Sequence, residues 1–192
     1  MNTPFLTFYY DYDDSKYYES CANRLKNQIE SSGGVLIIKN PLLSNSYNIN
    51  CLNKPKIILE TLLELKSPLI WIDADSNLNK LPTEFDILNS KDIGFVLRNH
   101  DYKTPHAALI YFNFNENSLH FLNTWKNKSE KQIQNVIDKK YDGGDHCMLI
   151  ETYNELSLNY GFASPKYAST NIQESMINIQ ISPGGWGVEK RK

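Results

Sequence analysis

The chain has 192 residues, with 20 Lys and Arg against 22 Asp and Glu for a formal net charge of −2. That length suits one domain with a sizeable core, and the near balance of charge leaves no cationic excess to hold a nucleic-acid backbone or an anionic membrane. Hydrophobic residues at 41% and charged residues at only 22% exclude wholesale disorder. The three cysteines, Cys21, Cys51 and Cys147, lack the CxxC spacing of a zinc knuckle or redox pair, so reduced thiols are expected. No basic leader or cleavage signal marks Met1-Asn2-Thr3-Pro4-Phe5, and no apolar run approaches the ~20 residues needed to cross a bilayer. A cytoplasmic protein with one domain over residues 1–192 is therefore expected. The cationic end Glu189-Lys190-Arg191-Lys192 reads as solvated.

Phe5-Leu6-Thr7-Phe8-Tyr9-Tyr10 has the composition of a first, buried strand. Tyr18, Cys21, Ala22, Leu25 and Ile29 then recur at helical spacing, Gly33-Gly34 ends that helix, and Val35-Leu36-Ile37-Ile38 is a second strand. Strand, helix, strand predicts a parallel pair. The stretch Asn40 to Asn53, rich in Asn, Ser and Pro, reads as a loop. Pro55 suits the first turn of a helix whose apolar face includes Ile58, Leu62 and Leu65. After Pro68 comes Leu69-Ile70-Trp71-Ile72, a continuous apolar run as expected for a strand covered on both faces. Further strands are predicted over Asp92 to Arg98 and Ala107 to Phe112, helices from about Ser118 to Trp125 and from Gly144-Asp145 onward, and a last strand over Ile177 to Ile181. A Gly-rich loop, Pro183-Gly184-Gly185-Trp186-Gly187, follows.

The buried strand runs straight into Asp73-Ala74-Asp75. Two like charges at the end of an apolar strand repel one another where water is scarce, and a hard cation removes the conflict. Mg²⁺ and Mn²⁺ take oxygen ligands and bind through one or two carboxylates plus the phosphates of a substrate. The carboxyl ends of strands in an open α/β sheet are also where ligands settle.

In this arrangement the chain resembles the nucleotide-diphosphosugar glycosyltransferases of the GT-A fold, whose DxD motif ends a hydrophobic strand. The resemblance covers most of the chain. It includes the opening Thr7-Phe8-Tyr9-Tyr10 and its helix, the Lys54-Pro55-Lys56 helix entry, Pro82-Thr83-Glu84-Phe85, Asp92-Ile93-Gly94-Phe95, Ala107 to Asn113, the Trp125 helix and Gly143-Gly144-Asp145-His146. It implies a single α/β domain with a mixed, mainly parallel central sheet flanked by helices.

The resemblance further implies that Asp75 binds Mn²⁺ or Mg²⁺ directly, while Asp73 contacts the donor ribose or, through water, the metal. Thr7, Tyr9 and Tyr10 become candidates for the nucleotide, with a ring available to stack on a uracil-like base, and Lys54 and Arg98 for the diphosphate. Asp145 becomes the catalytic carboxylate near the transferred sugar or acceptor hydroxyl, with His146 beside it. The implied partners are a nucleotide-diphosphosugar donor, of UDP type, and a glycan, lipid-linked or other hydroxyl acceptor; modified DNA bases fit the net charge least. The sequence departs from several related enzymes in one respect. Its histidines are His100, His106, His120 and His146, so none follows Ile181 to supply a further metal ligand, and Ser182 or water would complete the shell. Two other readings stay open: a HAD-type phosphatase with Asp73 as nucleophile, and a catalytically inactive nucleotide-sugar-binding protein.

Overall fold

Alternation along β3 (Leu69–Ile72), buried at all four positions, separates the hydrophobic interior into two layers. Ile70 and Ile72 pack with Leu25, Ile29 and Leu78 on one face; Leu69 and Trp71 pack with Ile58, Leu62, Phe121, Trp125 and Leu149 on the other. The structure is a computed structural model and describes residues 3–12, 14–41, 44–81, 88–97, 104–141 and 144–163, with the backbone of 168–169 and 177–178. Burying each large apolar side chain stabilises the fold by about 1.5–3 kcal/mol.

β1 (Phe5–Phe8) and β2 (Leu36–Lys39) form the expected parallel pair, in register from Phe5 opposite Leu36 to Phe8 opposite Lys39. The first strand stops two residues short of its predicted end at Tyr10. Between the two lies α1 (Tyr17–Ser31), whose first turn is satisfied from a distance: the Asp11 carboxylate accepts from the Tyr18 amide at 2.7 Å and the Glu19 amide at 3.1 Å. At its other end Gly33 turns at φ 80, a left-handed conformation that suits glycine.

The expected loop from Asn40 to Asn53 contains a helix, α2 (Tyr47–Leu52). Ser46 caps it by accepting from the Ile49 amide. Asn50, only 2% exposed, is tied to the Ser44 amide and carbonyl and donates to the Tyr12 hydroxyl at 2.8 Å. A buried asparagine holds this helix in place, so its sequence shows no apolar period. α3 (Lys54–Leu65) follows directly, with Pro55 in its first turn.

After β3 come β4 (Asn77–Leu78), β5 (Ile93–Leu97), β6 (Pro105–Phe112) and α4 (Glu116–Ile137). Asn115 caps α4 by accepting from the Ser118 amide at 2.9 Å, so the helix starts before Ser118 and continues well past Trp125. α5 (Asp145–Glu155) opens where predicted. β7 (Tyr160–Ala163), missed in the sequence because Tyr-Gly-Phe-Ala offers neither length nor alternation, adds the last strand of the main sheet. β8 (Ala168–Ser169) and β9 (Ile177–Asn178) join β4 in a small second sheet, and the remainder of the predicted final strand lies outside the described residues.

The main sheet has the order β2-β1-β3-β6-β5-β7. Only β6 runs against its neighbours, β3 and β5; the other pairs are parallel. This is the mixed, mainly parallel sheet flanked by helices that the sequence leads one to expect. Because β6 is reversed, its first residues lie beside the carboxyl end of β3.

At the opposite end of β5, Asp92 is 8% exposed and its carboxylate accepts from Asn115 Nδ2, Asn117 Nδ2 and the Asn159 amide at 2.9–3.0 Å. Its own carbonyl accepts from Ser118 Oγ at 2.6 Å. One side chain thus ties the entry to β5 to the start of α4 and the approach to β7. Replacing it takes the shared acceptor from three part-buried donors, so Asp92→Ala should lower unfolding stability by about 1–3 kcal/mol, measured by urea denaturation.

Candidate active site

Side chains two apart on a strand share a face. Trp71 and Asp73 therefore both turn toward α3 and α5, and the Trp71 indole N–H donates to Asp73 Oδ1 at 2.9 Å. The turn beyond β3 is fixed by two backbone bonds, Asp73 N to Ala108 O and Ser76 N to Asp73 O, each 3.0 Å. Asp75 follows on this turn and is half-buried.

Lys54, the first residue of α3, is 5% exposed. Its Nζ lies 2.9 Å from Asp73 Oδ1 and 2.8 Å from Asp145 Oδ2, with the Ala107 carbonyl at 3.4 Å and the centre of the Trp71 ring at 5.1 Å. A cation at a helix N-terminus faces the positive end of the dipole, and burial also disfavours its charge. The two carboxylates reverse that balance. Burial is the largest single influence on the Lys54 ammonium and pulls its pKa down, but Asp145 and then Asp73 outweigh it and hold the group above the ordinary lysine range.

Asp145 occupies the first turn of α5, where a negative charge is favoured, and is 7% exposed. Its carbonyl accepts from the Trp125 indole N–H at 3.2 Å. His146 Nε2 lies 3.0 Å from the Pro105 carbonyl; a carbonyl only accepts, so that nitrogen carries the proton. At Gly144 an added Cβ would sit 3.4 Å from the Cys51 Cβ, which places α2 against the start of α5. Burial, followed by the Asp145 charge, pushes the Cys51 thiol well above its ordinary range.

Of the residues singled out in the sequence, Lys54, Asp73 and Asp145 meet directly, with Asp75 and His146 as their chain neighbours. Thr7 does not join them. It is fully buried and alternates with Leu6 and Phe8, which pack in the Trp71 layer, so its side chain belongs to the opposite face of the sheet. Tyr9 and Tyr10 are half-exposed just beyond the carboxyl end of β1. The Tyr10 hydroxyl donates to Asn45 Oδ1, and its ring stands 4.9 Å from Tyr12. Tyr12 also packs near Tyr18 and Tyr47, at 6.2 and 6.1 Å between ring centres. The Cys51 sulfur, burial and the Asp73 charge, in that order, hold the Tyr47 hydroxyl above its usual range, so this tyrosine cluster borders the carboxylates. Arg98 lies outside the described residues, as do Gly143, Ser182 and the Gly-rich loop.

Trp71, Tyr12, Tyr47 and Cys51 escaped the sequence reading. The two-residue spacing of Trp71 and Asp73 was the available signal for the first; the other three depend on α2, which has no apolar period to betray it.

Carboxylate oxygens, as at Asp73 and Asp75, are the donor type that a hard divalent cation takes. Asp73 Oδ1 is already engaged by Lys54 and Trp71, so a cation at Asp73 would meet its other oxygen. Among the described residues no cluster of three His, Cys, Asp or Glu could hold a metal. Phosphate or water oxygens would have to complete the shell, as Mg²⁺ ordinarily permits.

No family model matches the chain, and no curated protein matches it at significant similarity. A solved structure does: a glycosyltransferase involved in the glycosylation of the major capsid of PBCV-1 superposes with a TM-score of 0.70 over 96% of this chain and 95% of that one, at 9% identity. The likeness shows a shared fold. Among the described residues no helix is long and apolar enough to cross a membrane.

The cysteines give a direct check on the packing around Asp145. At pH 8 the exposed Cys147 should react with iodoacetamide while Cys51 resists, its alkylation slower by about tenfold or more, read by mass spectrometry of peptides over time. Equal rates would contradict the packing of the half-buried Cys51 against the start of α5.

Proposed function

We propose that this chain is a metal-dependent glycosyltransferase that takes a sugar from a nucleotide-diphosphate donor, with UDP-sugars the leading candidates, and passes it to a hydroxyl acceptor. The observation that carries this reading is the gathering of Asp73, Asp145 and Lys54 at the carboxyl end of β3, within a fold shared with a glycosyltransferase. Asp75 and the second oxygen of Asp73 would hold Mn²⁺ or Mg²⁺, which when bound supplies positive charge to the departing diphosphate. The Tyr9 and Tyr10 rings, at the end of β1, are the candidates to pack on the nucleoside. Asp145 would accept a hydrogen bond from a hydroxyl of the donor sugar or acceptor, while His146, anchored to Pro105, sets the orientation of the first turn of α5. Lys54 serves here as internal charge balance rather than as a hand reaching for phosphate, since its ammonium already has two carboxylate partners. A glycan or lipid-linked acceptor suits the near-neutral chain.

No observation favours the phosphatase reading. Asp73 Oδ1 is held by two protein donors, Lys54 and Trp71, and the solved structure that shares this fold is a glycosyltransferase. An inactive binding protein would take up donor without releasing nucleotide, which calorimetric donor binding beside the release assay distinguishes.

The decisive experiment is a screen of nucleotide sugars with Mn²⁺ or Mg²⁺, following nucleotide release. One donor should be turned over, and Asp75→Ala should slow its release by about 100-fold or more. Equal release by the variant would remove Asp75 from the metal site.

A further inference from the structure

Among the described residues Lys54 is the only lysine or arginine counted as buried. It is also the group through which three elements touch: it begins α3, pairs with Asp73 at the end of β3 and pairs with Asp145 at the start of α5. Two carboxylates and an ammonium need no further cation to stay together. The ammonium occupies Asp73 Oδ1, and its charge repels any divalent ion approaching the remaining oxygen of the same carboxylate. Carboxylate ligands are accordingly few, and the local field is less negative than three aspartates would make it.

Resting on the reading of the site given above, we propose that Lys54 is a resident counter-ion that assembles the carboxylates before any ligand arrives and keeps the free protein's affinity for a divalent cation low, so that the cation enters together with the diphosphate. The diphosphate supplies oxygen ligands that the protein lacks, and its negative charge offsets the repulsion from Lys54. Coupling of this kind is reciprocal: whatever the diphosphate adds to cation binding, the cation adds to diphosphate binding. Lys54 is a positioning residue in this scheme and touches neither ligand.

The test uses the full chain at pH 8, with Mn²⁺ alone followed by electron paramagnetic resonance and UDP binding followed by calorimetry with and without Mn²⁺. Lys54→Met should bind Mn²⁺ alone about tenfold or more tighter than the parent, and Lys54→Arg, which keeps the charge, should stay within about threefold of it. In the parent, UDP should bind about tenfold or more tighter when Mn²⁺ is present. A folded Lys54→Met that binds Mn²⁺ no tighter than the parent overturns the proposal, as does UDP binding by the parent that ignores Mn²⁺. Should Lys54→Met lose its circular-dichroism signature of folding, Asp145→Asn decides. Lys54 then has Asp73 alone, Mn²⁺ should bind more weakly than to the parent, and equal or tighter binding overturns the proposal. Absence of any UDP binding, with or without Mn²⁺, would overturn the glycosyltransferase reading itself and this inference with it.

Discussion

One ammonium group organises the end of this molecule where the chemistry is proposed to happen. Lys54 stands at a helix N-terminus and out of water, two circumstances that each disfavour a cation. It is tolerated because Asp73 and Asp145 lie within 2.9 Å on either side. Removing Lys54 would leave the buried Asp145 charged and without its cation, a loss that costs about 3–5 kcal/mol for a buried pair. The positions of α3, β3 and α5 are therefore interdependent: moving any one of them separates charges that have little water nearby to replace the lost partner.

The backbone path explains why these groups can meet at all. β1 and β3 are parallel, so both deliver their carboxyl ends, with Tyr9 and Asp73, to one edge of the sheet. The reversed β6 brings its beginning to that same edge, where Ala108 receives the Asp73 amide, Ala107 faces Lys54 and Pro105 receives His146. A wholly parallel sheet would put the start of β6 at the far end. The single antiparallel strand thus supplies the wall against which the first turn of α5 rests, and α2 closes the side through Cys51 and Tyr47.

Much of this layout can be read from the residues. The parallel β1 and β2 pair, the apolar β3 and the carboxylates at its end all follow from periodicity and composition, as does the opening of α5 at Asp145. What escaped has physical causes. α2 is held by the buried amide of Asn50 and by a serine cap, so no apolar repeat marks it. β7 is a short edge strand with a glycine in its middle. Thr7 looks like a ligand contact by its place in the first strand, yet strand alternation sends it to the other layer. Lys54 was legible as a cation near the site but not as a cation already satisfied, because its partners lie 19 and 91 positions away in the chain (73 − 54 and 145 − 54), and only the fold brings them within reach.

The chain shares its fold with a glycosyltransferase at only 9% identity. Function then has to be judged from the site rather than from the architecture, and the proposed site turns on how Lys54 pairs with Asp73 and Asp145. The most direct measurement is a crystal structure of the chain grown with Mn²⁺ and UDP, with the metal located from its anomalous scattering. A manganese peak beside Asp75 and the second oxygen of Asp73, with Lys54 still bridging Asp73 and Asp145, is the predicted result. Manganese bound elsewhere, or Lys54 displaced from both aspartates toward the phosphates, would contradict it.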